Sequence, residues 1–275
     1  MATGAMEVMV PRPRGQQLVE AAGITAGSTT GTSVTGGSPG GTKGSWAQVI
    51  ASTAYHTHGL YLMVLSTGGC DVTFDVGIGG AGSEVVLVPD INVMASTEAQ
   101  VEFFWLPMEI AAGTRMAVRC ATSTASVAHV VSMNLFAAGP ASFGHQFAEA
   151  MGVSGPSATV VDPGATANTK GAWTQLIAST SRAARGFHLN IQGAAYPSGS
   201  DQRSLVDVAI GGAGSEVVIV PDILFAVNNT LARNPGLWLE LPREIPAGSR
   251  VAVRSACSIN TALDRLLYVS GILWG

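Results

Sequence analysis

Apolar and polar positions alternate with a period of two through much of this chain, the spacing of strands with one buried face. Over residues 114–120, Met116, Val118 and Cys120 fall on one side, and Arg115, Ala117 and Arg119 on the other. The pattern returns over 250–254, with Val251 and Val253 inward and Arg250, Ala252 and Arg254 outward. Val72, Phe74 and Val76 alternate with Thr73 and Asp75, and Trp46, Gln48 and Ile50 share one face of another short strand. The apolar runs 59–65 and 84–88 have strand length, and Ala112-Gly113 and Ala247-Gly248 read as tight turns. Seven or eight short strands are expected in each half of the chain. The helical candidates are two short leaders, 11–25 and 140–154.

The halves are copies of one another. Residues 75–91 (DVGIGGAGSEVVLVPDI) and 207–223 (DVAIGGAGSEVVIVPDI) agree at 15 of 17 positions. TKGSWAQVIAST at 42–53 matches TKGAWTQLIAST at 169–180, and PMEIAAGTRMAVR at 107–119 matches PREIPAGSRVAVR at 242–254. Repetition on this scale marks two homologous structural units. The offset grows from 127 to 132 to 135 residues, so copy two carries insertions near 196–200 and 229–236, where surface loops absorb them. The leaders repeat as well: both fit P-x-x-x-G-x-Q-Φ-x-E-A-x-G-Φ-[TS], where Φ is apolar. Residues 1–41 read as an extended arm and leader, 42–136 as the first β-sandwich, 137–168 as the leader of copy two and 169–275 as the second sandwich. The fold class is all-β: two tandem homologous β-sandwich domains, jelly-roll-like, preceded by an extended N-terminal arm.

Charge narrows the functional classes. Charged residues make up only 12% of the 275, hydrophobic ones 47%, and the net charge is −4. No basic stripe is present, so nucleic acid is not an expected partner. No apolar run reaches membrane-spanning length, and the N-terminus lacks the apolar segment of a secretory signal. So sparse a charge suits a surface packed against others. Cys70, Cys120 and Cys257 match no metal or redox spacing and read as small buried hydrophobes; Ser255 stands opposite Cys120 in copy two.

Each candidate for chemistry has a structural explanation. The glycines of 77–83 precede a strand rather than a helix and lack a following Gly-Lys-Ser/Thr, so they read as a turn between strands and not as a phosphate loop. His56-x-His58 would place two imidazoles on one strand face, but no third ligand is identifiable, and copy two has Arg182 and Arg185 in this stretch. No metal and no cofactor are expected. Asp75/Asp207, Glu84/Glu216, Asp90/Asp222 and Glu109/Glu244 recur, and turn capping or edge solubility accounts for them without catalysis. Trp46 and Trp173 read as core anchors, and Trp105, Trp238 and Trp274 as buried rather than sugar-stacking. No Ser-His-Asp order recurs, so no catalytic residues are assigned.

The blocks TKGxW-x-Q-Φ-I-A-S-T, D-Φ-x-I-G-x-A-G-S-E-V-V and E-I-[AP]-A-G-[TS]-R-Φ-A-Φ-R resemble those of structural proteins on tailed-bacteriophage particles. The resemblance covers both modules. It implies a non-enzymatic, self-associating β-sandwich protein displayed on a virion that assembles in the host cytoplasm. A capsid decoration (cement) protein is the leading expectation, and a tail accessory or receptor- or carbohydrate-binding tail protein the alternative. Expected partners are the major capsid protein or tail proteins of the same particle, and other copies of this chain, with a homotrimer expected by analogy. The leaders supply the partner-interface candidates: Arg12, Arg14, Gln17, Glu20, Gln146 and Glu149.

Overall fold

The computed structural model describes residues 17–24, 31–66, 69–94, 100–137, 145–193, 202–227 and 236–275. Module 1 contributes β1 (Gln17–Ala22), β2 (Thr32–Thr35), β3 (Ala47–Ile50), β4 (Gly59–Ser66), β5 (Val72–Ile78), β6 (Val85–Val93), β7 (Gln100–Leu106), β8 (Met116–Thr122) and β9 (Ala128–Ala137). Module 2 contributes β10 (Ala148–Met151), β11 (Val153–Ser154), β12 (Ser157–Val161), β13 (Thr174–Ile177), β14 (Ala184–Gly193), β15 (Gln202–Ile210), β16 (Val217–Val227), β17 (Leu237–Ile245), β18 (Val251–Cys257) and β19 (Leu267–Trp274). All pairings between these strands are antiparallel.

Each module is two stacked sheets. In module 1 the orders are β1-β9-β4-β7, with β2 also on β9, and β3-β8-β5-β6. Counting β1 and β2 as two halves of one edge strand, these are the first, eighth, third and sixth strands over the second, seventh, fourth and fifth. That is the strand order of a jelly roll. Module 2 repeats it as β12-β19-β14-β17, with β10 on β19, over β13-β18-β15-β16. The protein is therefore all-β, with two tandem jelly-roll sandwiches.

The alternation read from sequence sets the inner faces. Val72, Phe74, Val76, Met116, Val118 and Cys120 are fully buried in one core, and Val206, Val208, Val251 and Val253 in the other. Burial pushes the Cys120 thiol up to about 12, in keeping with an inert sulfur. Two expectations need correction. Gln48 is exposed while Ile50 is buried, because β3 carries a bulge between them against β8. The leaders are strands, not helices: β1 pairs with β9, and β10 with β19. The free edge of each last strand needs backbone partners, and that requirement outweighs the modest helix preference of Ala and Glu. Parts of the expected arm, 17–22 and 32–35, thus belong to the first sandwich, whose boundary moves back from 42. The two loop insertions lie outside the described residues except for Gly236.

The repeated acids build the framework. Asp75 Oδ1 accepts from Lys43 Nζ (2.8 Å) and the Asp90 amide (2.9 Å), and its Oδ2 from Arg119 Nε (2.8 Å). Lys43 also reaches Asp90 Oδ1 (2.6 Å), and Arg119 lies 4.5 Å over the Trp46 ring. Lys170, Asp207, Asp222, Arg254 and Trp173 repeat every contact. Burial pushes the Asp75 carboxyl up, but the Asp90 amide, Lys43 and Arg119 outweigh it and hold the group below its ordinary range. Glu84 accepts from Arg115 Nη1 (2.8 Å) and the Gly82 amide (2.9 Å), closing the hairpin between β5 and β6; Gly79 and Gly82 take the positive φ that this turn requires. The glycine loop is the turn expected of it.

Candidate functional site

Two places concentrate features that the framework does not use: the junction between the modules, and a histidine cluster on module 1.

The junction closes an open end. In module 1 the two sheets end on β7 and β6. The outer face of module 2's larger sheet covers this end. Ile272 joins the first core, and Ala148 and Ala150 pack against it. His188 lies 5.2 Å from Phe104, ring to ring. Asn92 on β6 provides the polar anchor. Its carbonyl accepts from Asn190 Nδ2 (3.0 Å), its Oδ1 from Ser270 Oγ (3.4 Å), and its Nδ2 donates to Pro156 O (2.6 Å). Alongside, Trp238 packs on Tyr61, Trp105 and Phe136, and stacks on Trp274 at 5.9 Å. Trp105 and Trp274 are buried and Trp238 half-buried, as expected of packing residues.

The same edge and face recur, the edge on module 2 and the face on module 1, where Trp238 covers only the Tyr61, Trp105 and Phe136 end of the face. Gly59 pairs with Phe136 as Gly186 pairs with Trp274, which makes Met63 the counterpart of Asn190, Ser132 of Ser270 and Asn134 of Ile272. Thr73 pairs with Asn92 as Leu205 pairs with Leu224, so Leu224 stands where Asn92 does. Asn92 is 3% exposed; Leu224 is 66% exposed. On module 1's outer face, Ala21 is exposed and Met63, Ser132 and Asn134 are half-buried.

The histidine cluster is assembled by one long-range contact. Thr57 and Ile110 exchange backbone hydrogen bonds (2.9 and 2.8 Å) as an antiparallel bridge. Residues two apart on a strand share a face, and the residue before Ile110 lies opposite the one after Thr57. His56, His58 and Glu109 therefore converge, with ligand atoms all within 4.8 Å of one another. His56 Nε2 lies 3.1 Å from Glu109 Oε1, and the two imidazole centroids are 4.6 Å apart. His58 Nδ1 is buried with no hydrogen-bond partner. Burial lowers the His58 pKa, and His56 adds to this against the opposing pull of Glu109. The third donor that sequence spacing left unidentified is Glu109, 51 positions from His58 and visible only after folding.

The leader candidates are placed differently. Arg12 and Arg14 lie outside the described residues. Gln17 begins β1, paired with Ala137. Glu20 Oε2 accepts from the Ala54 amide (3.0 Å), and Glu149 does the same for Ser181 (2.9 and 3.1 Å). These glutamates hold loops of their own modules. Gln146 is exposed, its backbone N–H donating to Gly275 O (3.1 Å).

No protein-family model and no curated protein matches the chain. Solved structures with some likeness include the N-terminal CBM22-1-CBM22-2 tandem domain of Paenibacillus barcinonensis Xyn10C, at 9% identity and a TM-score of 0.26, covering 96% of this chain and 99% of that one. A peptide-N(4)-(N-acetyl-β-D-glucosaminyl) asparagine amidase matches at 13% and 0.28, over 87% and 98% of the two chains. PNGase F, a glycosylasparaginase from Flavobacterium meningosepticum, matches at 10% and 0.27, over 92% and 98%. At these identities and scores the likeness extends no property of those proteins to this chain.

Proposed function

We propose that this protein is a non-enzymatic, self-associating structural component of a bacteriophage particle, acting as a capsid decoration protein that packs edge to face with copies of itself. The setting rests on the sequence blocks shared in pattern with virion proteins. A jelly roll serves viral capsid domains and lectins alike, so the fold does not choose between them.

The observation that carries the self-association is the exchange of Asn92 for Leu224. Within one chain, module 2's outer sheet seals module 1's edge through Asn92, Asn190 and Ser270. At the equivalent positions the trio becomes Leu224, which is exposed, and Met63 and Ser132, which are half-buried. A polar contact between Asn92 and Asn190 is thus matched by an apolar one between Leu224 and Met63. An exposed leucine facing a methionine is what a second copy docked in the same manner would bury. Because edge meets face, the contact is heterologous, and it closes into a ring when the rotation allows.

Light scattering of the purified chain, alone and bound to phage heads, tests this. A discrete oligomer that Leu224→Asp converts to monomer, together with loss of head coating, is the expected result. A wild-type chain that stays monomeric at high concentration and on the particle overturns it.

A further inference from the structure

We propose that His56, His58 and Glu109 form a binding site for one divalent transition-metal ion of the zinc class, present on the first module alone. The donor set is two imidazoles and one carboxylate, a combination that suits zinc and its neighbours rather than calcium or magnesium, which take oxygen. Ligand atoms held at about 2.1 Å around a tetrahedral zinc stand roughly 3.4 Å apart. His56 Nε2 and Glu109 Oε1 are already 3.1 Å apart, and no pair in the cluster exceeds 4.8 Å. Small side-chain rotations complete the set. A fourth position remains for water or for a donor from a neighbouring molecule.

The second module supplies an independent observation. Glu244 is the counterpart of Glu109 by the repeated block, and Arg185 is the counterpart of His58, since Gly186 matches Gly59. Arg185 Nε donates to Glu244 Oε1 at 2.8 Å. The recurring carboxylate therefore faces a permanent cation in module 2. In module 1 it faces two imidazoles, one with a buried nitrogen lacking any partner. A bound dication supplies in the first module the positive charge that arginine supplies in the second. The bridge of Thr57 to Ile110 and the bond from the Glu109 amide to His145 O (3.0 Å) make the cradle part of the sandwich rather than a loop tip.

The three cysteines are buried, so they do not compete for metal in the folded protein. Titration calorimetry of zinc chloride into the untagged, chelator-treated full chain tests the site, with thermal melts alongside. The expected result is one zinc per chain, a raised melting temperature, and at least tenfold weaker binding in His56→Ala and in His58→Ala. His58→Arg, which recreates the Arg185 pairing, should fold as the wild type does and take no zinc. Absence of saturable one-to-one binding to the folded wild type overturns the proposal. So does undiminished binding in the His56→Ala/His58→Ala double variant or in His58→Arg.

Discussion

Arg185 pairs with Glu244 at 2.8 Å on the spot where module 1 sets His58 beside Glu109. Two copies of one framework thus hold a carboxylate in the same place, beside an arginine in one and two imidazoles in the other. The pairing is exposed on both sides in module 2, so its contribution to stability is small. Its value is as a marker of which positions can be exchanged.

The exchange runs in both directions. Ala183 and Arg185 stand where His56 and His58 do. Ala183→His with Arg185→His should create a second site against Glu244, raising the zinc stoichiometry from one to two per chain by calorimetry.

Asp75 is 3% exposed and accepts from Lys43, Arg119 and the Asp90 amide. Removing it takes from Arg119 its carboxylate partner, leaves Lys43 its ion pair with Asp90, and strips the Asp90 amide of its acceptor. Asp75→Ala should cost about 3–5 kcal/mol in urea unfolding, and Asp207→Ala a comparable amount in module 2. Asp75→Asn, which keeps one acceptor, should cost less.

His188 ties stability to pH. Both its ring nitrogens are buried without partners, and burial lowers its pKa to about 4. The unfolded chain takes up a proton near pH 6.5 that the folded chain refuses until about pH 4. Stability is therefore full above pH 6.5 and falls as the pH drops toward 4, by about 3 kcal/mol across the window. His129, also lowered by burial, acts in the same sense. Asp75 and Asp207 have lowered pKa values, so their contribution is lost only at lower pH, as each folded carboxyl takes up its proton. His188→Phe should fold at neutral pH, because no hydrogen bond is lost, and should flatten melting temperature against pH between 6.5 and 4. An unchanged slope would count against this account.

Leu224 and Met63 offer a complementary pair across copies. Leu224→Lys and Met63→Asp should each weaken self-association several-fold, since each places an unpaired charge in an apolar contact. The double variant should recover part of it as the charges meet. Sedimentation of the three variants measures the effect.

Much of the fold was legible locally. The period-two runs around Phe74 and Val118 mark inner faces because adjacent side chains on a strand point oppositely. The glycines of 79–82 mark a hairpin because only their backbone turns so tightly without strain. The leaders are strands against their local pattern because pairing with β9 and β19 is a property of the partner's free edge, not of the segment itself. The bulge between Gln48 and Ile50 was hidden for the same reason, since bulges arise from register against a neighbour.

By itself, the sequence determined that there are two copies and that each is a sandwich of short strands; turn capping or edge solubility was its reading of the recurring acids, whereas Asp75 and Asp207 are buried in ion pairs. Periodicity and repetition are properties of neighbouring positions, so they survive without coordinates. Tertiary structure decided what meets across distance: Glu109 beside His58, Ile272 inside the first core, and Leu224 bare where Asn92 is covered. Those contacts depend on how sheets stack and modules dock, and stacking is set by the shape of whole faces rather than by any local pattern.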